Sequence, residues 1–346
     1  MPDAPPATLR LQLDTQALAA NWRALDAMSG AARAGAAVKA DAYGLGVAAV
    51  VPVLRDAGCT QFFVAHWAEV PAVVRHVPGA QVAVLHGPVT AAEAAFARQI
   101  GVVPVINSVQ QAALWQASGG GPCHLMVDTG INRLGVPLAL LGDPGVAGLE
   151  IDLLLSHLAS ADEDSPLNPL QLARLREVRG QFSPRAVSLA NSAGIALGPD
   201  YHCDLTRPGL SLYGGVARPE LAGVIRQVAF PQASVIQRRS ISAGDSVGYN
   251  ATFTATAAME VATVSVGYAD GFLRARGPGN ALAFGGQQLP ILGKVSMDMI
   301  VVDCATCPQL AAGDWIDLPF DLPQQAAASG LSQYELLTLL GRRFAR

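Results

Sequence analysis

The chain of 346 residues has very little lysine, because only Lys39 and Lys294 stand among its 23 basic residues. Charged residues make up only 14% of the chain, the formal net charge is −4, and no basic run occurs. A mildly acidic chain of this kind is not suited to neutralising a phosphate backbone, so we expect no binding to nucleic acid. Hydrophobic residues reach 51%, which excludes a disordered chain and supplies a large core.

Cysteine is scarce as well, and signals for export or membrane insertion are absent. Five scattered cysteines do not suggest a disulfide framework and indicate reduced thiols in a cytoplasmic setting. The first residues do not resemble a signal peptide, and no apolar stretch is long enough to cross a bilayer as a helix. We therefore expect a cytoplasmic protein without a membrane partner, and we interpret the isolated pair Cys304 and Cys307 as a structural turn.

Short apolar runs recur over the first two-thirds of the chain, and each precedes an Ala/Leu-rich stretch with helical spacing. The eight runs are residues 36–39, 62–65, 82–85, 102–106, 124–127, 151–155, 186–189 and 210–212. Alternating strands and helices predict a parallel sheet, and eight units favour a closed (β/α)8 TIM barrel over a doubly wound open sheet.

The pattern changes after about residue 226, where strand-like segments and Gly-rich turns replace the helical stretches. The predicted strands are residues 233–238, 246–254, 260–267, 281–284, 288–292 and 296–304, followed by a short helix near 334–340. The sequence therefore predicts an α/β protein with two domains, a barrel over residues 1–226 and a mainly-β domain over residues 227–346.

Polar residues follow the predicted barrel strands at their carboxyl ends, where barrels place their active sites. In chain order they are Lys39, Asp41 and Tyr43, then His66, His86, Asp128, Arg133, His157, Asn191, Ser192, Arg207, Tyr213, Gly214 and Gly215. The histidines lack the spacing of known metal motifs, so we expect no metal site.

Lys39 lies inside an apolar run, so its amine should be partly desolvated and suited to Schiff-base chemistry. An ordinary solvated lysine is the alternative. The loops after the last two strands carry Asn191-Ser192 and Gly214-Gly215, where barrels commonly bind phosphate. Together these features suggest pyridoxal 5'-phosphate (PLP), although the residues alone leave an aldolase-type Schiff-base enzyme equally open.

Eight motifs, in order, resemble those of the alanine racemase family and span about residues 9–343. They are VKADAYG at 38–44, VDTGINRLG at 127–135, His157, NSAG at 191–194, TRPGL at 206–210, GYNATF at 248–253, GYADG at 267–271 and GKVSMD at 293–298. The resemblance implies a PLP-binding barrel joined to a β domain, and interconversion of L- and D-alanine to supply peptidoglycan synthesis. It also implies a homodimer whose active site is shared across the interface.

The resemblance further implies individual roles. Lys39 would carry PLP as the internal aldimine and act as one catalytic base, and Tyr268 of the partner subunit would be the second base. The implied phosphate contacts are Tyr43, Ser192, Gly209 and Leu210. Arg207 would face the pyridine nitrogen, with His157 behind it. Arg133 would contact the ring hydroxyl and the substrate, and Met297 of the partner subunit would contact the substrate carboxylate.

These implied roles fit the chemistry of racemisation, in which a proton leaves one face of the substrate and another arrives on the opposite face. Two bases achieve this without turning the substrate. An arginine at the ring nitrogen can only donate, so the nitrogen stays unprotonated and transamination is discouraged.

The sequence departs from the family pattern at two positions. The tyrosine that contacts the phosphate near the C-terminus of some members aligns here with Arg342. Many members carry a lysine seven residues before Arg133, and here that residue is Met126. Two other functions remain open, a barrel-type PLP decarboxylase of basic amino acids and a PLP carrier built from the barrel alone. The motifs at 267–271 and 293–298 disfavour the first, and the β domain disfavours the second.

Overall fold

The computed structural model describes residues 5–277 and 279–345, which fall into two compact units. One unit comprises residues 15–226, and the other joins the described residues up to Asp14 to those from Gln227 onward. The first strand, β1 (Leu9–Leu13), belongs to the second unit because it pairs antiparallel with residues 229–233. The sequence-based boundary had instead placed this segment with the barrel.

The unit of residues 15–226 alternates parallel strands with helices. Its strands are β2 (Arg33–Ala34), β3 (Ala36–Ala37), β4 (Phe62–Val64), β5 (Val82–Val84), β6 (Val103–Ile106), β7 (Cys123–Asp128), β8 (Val136–Pro137), β9 (Ile151–Leu155), β10 (Ala186–Ser188) and β11 (Leu205–Thr206). Its α-helices are α1 (Thr15–Met28), α2 (Val47–Ala57), α3 (Val70–Val73), α4 (Ala91–Ile100), α5 (Val109–Ala117), α6 (Pro144–Ala147), α7 (Leu167–Arg179) and α8 (Ser192–Ala196).

Seven of the described strands form one parallel sheet in the order β3-β4-β5-β6-β7-β9-β10. Strand β11 connects the two edges of this sheet. The Asp204 N–H donates to Val187 O on one side at 3.0 Å, and the Gly35 N–H donates to Thr206 O on the other at 2.9 Å. The strands therefore form a TIM-like barrel, and the predicted fold class is confirmed.

The eighth strand of the barrel was predicted in the wrong place. Residues 210–212 belong to a 3-10 helix, Leu210–Tyr213, and the strand lies earlier, at Leu205–Thr206. This strand is only two residues long. Pro208 follows soon after it and has no N–H group with which to continue the hydrogen bonds between strands.

The barrel interior is apolar, because alternate residues of each strand point inward. Successive strands contribute Phe63, Ala83, Val105 and Met126 to one buried cluster. This packing holds the carboxyl ends of the strands in register, and the loops that follow them carry the candidate site.

The second unit is mainly β, as predicted. Its further strands are β12 (Ala229–Ile241), β13 (Ser246–Val247), β14 (Phe253–Thr254), β15 (Met259–Val264), β16 (Ala281–Phe284), β17 (Gln287–Leu292), β18 (Ile300–Asp303) and β19 (Trp315–Asp317), and its helices are α9 (Leu322–Ser329) and α10 (Gln333–Thr338). The main antiparallel sheet has the order β1-β12-β15-β18-β17-β16-β19 over the described residues, and β19 also pairs with β12. Helix α10 confirms the predicted C-terminal helix, whereas α9 was not predicted.

Bilayer-spanning helices do not occur in the part of the chain that the structure describes, since none of its helices is both long and apolar enough.

Candidate active site

Lys39 follows the first strand of the main barrel sheet and opens a left-handed turn. The next four residues, 40–43, all have φ between 52° and 55°. L-residues rarely adopt this region, which costs roughly 1–2 kcal/mol for each residue. A bond from the Ala42 N–H to Val38 O, 2.9 Å long, spans the turn. The segment after Lys39 is therefore strained and must be held by its surroundings.

Two carboxylates hold this turn from outside. Asp41 Oδ1 accepts from the Val47 N–H at 2.7 Å and so joins the turn to the start of α2. Glu69 Oε1 accepts from the Ala40 N–H at 2.5 Å. Both bonds are charge-assisted, the stronger class of hydrogen bond.

The Lys39 amine is half-buried, and its environment favours the neutral form. Burial lowers the pKa of Lys39, the Arg133 guanidinium lowers it further, and the Glu69 carboxylate opposes both effects. A lysine with a lowered pKa offers more of the unprotonated amine that attacks an aldehyde. Lys39 is therefore suited to carry a Schiff base.

Backbone N–H groups and hydroxyls converge near the end of the barrel chain. Ser192 Oγ accepts from the Gly209 N–H at 3.0 Å and from the Ser211 N–H at 3.2 Å. Leu210, between these two donors, is buried. The Ser211 hydroxyl is also buried and has no hydrogen-bond partner among the described residues. Because Ser192 Oγ accepts these two bonds, its own O–H can donate beside the Ser211 hydroxyl, and two such neighbouring donors suit a phosphate group.

Tyr43 completes this phosphate cradle. A Cβ added at Gly209 would collide with the Tyr43 hydroxyl, so only glycine permits the close approach. The Tyr43 ring stacks on Tyr213 with centroids 4.8 Å apart, and Tyr213 Oη donates to Ala37 O at 2.8 Å. The donors and the close glycine fit the phosphate of PLP, with Lys39 on the same barrel rim.

Arg207 lies deep in the barrel beside these groups. Its guanidinium donates to Ser188 Oγ and, at 2.6 Å, to Ser156 O. Burial lowers the pKa of Arg207 to about 10, which leaves it charged at neutral pH. Burial, followed by the charge of Arg207, lowers the pKa of His157 to about 3, so this imidazole is neutral.

Arg133 is exposed at the end of a turn after β7. Asp128 forms this turn, because its Oδ1 accepts from the N–H groups of Gly130, Ile131 and Asn132 at 2.8, 3.0 and 3.2 Å. Asp128 thus forms the turn that precedes Arg133. Met126, at the position where many members carry a lysine, belongs to the apolar core.

Tyr268 and Met297 lie on two adjoining loops of the β unit. The Tyr268 N–H donates to Ser296 O at 3.1 Å, and the Ala269 N–H donates to Met297 O at 3.0 Å. Arg274 stands 5.2 Å from the centroid of the Tyr268 ring and supports it by a cation–π contact. The two family motifs of this unit are therefore brought together.

An ion-pair network fixes these loops. Arg343 donates to both oxygens of buried Asp270, at 2.7 and 2.9 Å, and to Asp298 Oδ1 at 2.7 Å. Asp298 therefore has a structural role in this network.

Metal-ligating side chains are not clustered in the part of the chain described, where no three His, Cys, Asp or Glu residues form a candidate site. Cys304 and Cys307 are buried free thiols.

A lysine suited to carry a Schiff base, on the same rim as groups that suit a phosphate, is the combination found in barrel enzymes that bind PLP. Comparison with known families agrees. The models "Alanine racemase, N-terminal domain" and "Alanine racemase, C-terminal domain" match residues 13–217 and 228–346. The chain belongs to the alanine racemase family, a family of PLP-dependent isomerases, and the resemblance seen in the motifs is confirmed.

Similar proteins cover nearly the whole chain. The biosynthetic alanine racemase of Agrobacterium fabrum is 43% identical, over 98% of this chain and 93% of its own. The crystal structure of the Bartonella henselae alanine racemase with covalently bound pyridoxal phosphate has a TM-score of 0.90 and 36% identity over 99% of both chains. The biosynthetic alanine racemase of Pseudomonas aeruginosa has a TM-score of 0.87 and 33% identity, again over 99% of both chains.

Proposed function

We propose that the chain interconverts L- and D-alanine with PLP and supplies D-alanine for peptidoglycan synthesis in the cytoplasm. The observation that carries this proposal is the position of Lys39, a lysine of lowered pKa on the rim that also holds the phosphate cradle. The 43% identical relative named biosynthetic supports the direction of supply.

The barrel unit would bind the cofactor. When bound, PLP draws electrons away from the substrate's α-carbon and so makes the α-proton acidic. Lys39 Nζ is the point of attachment. The phosphate contacts would be Tyr43, Ser192, Gly209 and Leu210.

Arg207 and His157 would set the electronic character of the cofactor ring. Arg207 can only donate hydrogen bonds, so it accepts no proton from the ring nitrogen and gives it none. The neutral His157 beside Arg207 adds no competing charge. This arrangement favours return of the proton to the α-carbon and disfavours transamination.

Two bases would act on opposite faces of the substrate. Lys39 Nζ takes or returns a proton on one face, and Tyr268 Oη does so on the other. Arg133 would contact the cofactor ring hydroxyl and the substrate, and Met297 would help bind the substrate carboxylate. We further propose that the active unit is a homodimer in which each site takes Tyr268 and Met297 from the partner subunit.

The activity is tested with L-alanine in heavy water. We expect exchange of the α-proton together with formation of D-alanine. Release of carbon dioxide from a basic amino acid supplied in place of L-alanine would instead indicate a decarboxylase, and no reaction with either substrate would indicate a PLP carrier.

The shared site is tested by subunit exchange between two inactive homodimers, Lys39→Ala and Tyr268→Phe. If the sites are shared, one of the two sites in each mixed dimer is intact, and part of the activity returns. No recovery despite proven exchange would contradict the proposal.

A further inference from the structure

Glu69 connects two βα loops of the barrel through three backbone N–H groups. Its Oε2 accepts from the Ala65 N–H at 2.7 Å and from the His66 N–H at 3.0 Å. Its Oε1 accepts from the Ala40 N–H at 2.5 Å. The half-buried carboxylate therefore ties the residue after Lys39 to the loop that follows β4.

The next βα unit contains a close copy of half of this arrangement. Glu93 is also half-buried, and its Oε2 accepts from the Val89 and Thr90 N–H groups at 2.7 and 3.0 Å. The two glutamates thus cap their own loops in the same way. The bond to Ala40 distinguishes Glu69 from Glu93.

This additional bond acts on the strained part of the site. Residues 40–43 are held in a left-handed turn, a conformation that persists only where several contacts enforce it. The turn begins beside Lys39 and ends at Tyr43, whose hydroxyl lies against Gly209 in the phosphate cradle. Loss of the acceptor for Ala40 would let both ends of the turn move.

We propose that Glu69 is a positioning residue, whose carboxylate holds the left-handed turn and thereby fixes Lys39 and Tyr43 for cofactor binding and proton transfer. The proposal rests on the role proposed above for Lys39. The same carboxylate opposes the fall in the pKa of Lys39 caused by burial and by Arg133, which adds an electrostatic link to the geometric one.

The test compares Glu69→Gln with the matched control Glu93→Gln in the holoenzyme. Glutamine has one carbonyl oxygen where glutamate has two. Its NH2 group must therefore face either the Ala40 N–H or the N–H groups of Ala65 and His66, and the hydrogen bonds on that side are lost. We expect Glu69→Gln to lower kcat at least tenfold, to change KM less than threefold and to speed PLP loss on dialysis at least tenfold. Glu93→Gln should stay within twofold of wild type in all three, because its capping bonds do not reach the lysine turn.

Hydrogen–deuterium exchange supplies a readout that does not depend on turnover. In Glu69→Gln, the peptide covering residues 40–46 should exchange at least tenfold faster. In Glu93→Gln this peptide should exchange as in wild type, and so should residues 89–93, because one amide oxygen can accept both bonds that Oε2 accepts now. The proposal would be overturned if Glu69→Gln exchanged residues 40–46 at the wild-type rate. It would also be overturned if Glu69→Gln retained PLP as well as Glu93→Gln does.

A second variant separates positioning from general damage to the fold. Glycine adopts positive φ without the steric cost that alanine bears. Ala40→Gly added to Glu69→Gln should therefore recover PLP retention at least threefold, and no recovery would contradict the positioning role.

The two proposals fail in different ways. If the wild-type protein forms no D-alanine, the proposed function fails, and if Lys39→Ala still racemises alanine, the role of Lys39 fails, whatever Glu69 does. If Lys39 is essential while the two glutamine variants behave alike, only the positioning role of Glu69 fails.

Discussion

The rim of the barrel and the loops around Tyr268 hold their functional side chains in different ways. On the rim, Arg207 is only 7% exposed and donates to a serine hydroxyl and to the main chain. In the β unit, backbone bonds fix the loops, whereas Met297 is 53% exposed. Arg207 is thus preorganised by burial on the rim, whereas around Tyr268 backbone bonds and the ion pairs of Arg343 fix the loops and leave the Met297 side chain exposed.

This difference predicts two kinds of defect. Substitutions on the rim should impair retention of the cofactor, because the binding groups there support one another. Substitutions around Tyr268 should leave retention intact and affect turnover alone. Each of the following experiments tests this division between loss of cofactor and loss of turnover.

The largest effects are expected from the two proposed bases. Lys39→Ala should abolish covalent attachment of PLP and lower activity by at least about 10⁴-fold. Tyr268→Phe should keep bound PLP at the wild-type level and lower activity by about 10²–10⁴-fold, since it removes a single proton-transfer group. Racemisation rates and the absorbance of bound cofactor measure both effects, with Tyr334→Phe in the same unit as control. Loss of PLP from Tyr268→Phe would break the division.

Arg207→Glu should convert part of the activity to transamination, because a carboxyl group can protonate the ring nitrogen. The variant also loses the bonds of a buried guanidinium, so we expect the free energy of unfolding to fall by about 3 kcal/mol. Arg207→Gln shares the lost bonds but cannot supply the proton. Pyridoxamine formation should rise only in Arg207→Glu, and an equal yield in both variants would refute the role of Arg207.

Gly209→Ala should weaken PLP binding about tenfold, because the new methyl group collides with the Tyr43 hydroxyl and overpacking costs about 1–3 kcal/mol. Gly142→Ala is the matched control, since a Cβ there meets no atom within 4 Å. Equilibrium titration of the apoproteins with PLP compares the two. Equal affinities would show that the cradle has more room than this close approach implies.

The smallest effect concerns the loss of folding stability in mild acid. We expect this loss in the barrel unit, because all six histidines of the chain lie before residue 227. His124 is 2% exposed, and burial lowers its pKa to about 4 from the usual 6.5. As the pH falls below 6.5, the unfolded chain gains a proton that folded His124 does not, so stability is lost until about pH 4. At pH 5.5 the loss is about 1 kcal/mol. Urea unfolding at pH 8 and 5.5 should show a smaller loss in His124→Phe, and an unchanged loss would exclude His124 as its source.

The fold class could be predicted because strand and helix patterns alternate so regularly before residue 226. The position of the eighth strand could not be predicted, because a strand of two residues shows no periodicity. The Leu-Ser-Leu run at 210–212 has the apolar and polar alternation of a strand and was predicted in its place. Helix α9 was not predicted because its eight residues, LPQQAAAS, are too few to show a clear helical spacing of apolar residues.

The candidate site shows a similar limit. Lys39 could be found because it ends an apolar run, but the left-handed turn after it could not, since residues 40–43 contain no glycine. Glu69 stands three residues after His66, which is not a usual N-cap residue, so the sequence does not mark this glutamate as a capping residue. Its other oxygen contacts a residue 29 positions away, and only the folded chain reveals such a contact.

The left-handed turn has a consequence for chain chirality. Ala40 and Ala42 occupy a backbone region that is strained for L-alanine and is the mirror image of the one L-residues prefer. A D-residue reverses this preference. In a semisynthetic chain, D-alanine at these two positions should relieve the steric cost of the turn. The proposed product of the enzyme would therefore suit this part of its own backbone better than the L-alanine that the ribosome incorporates.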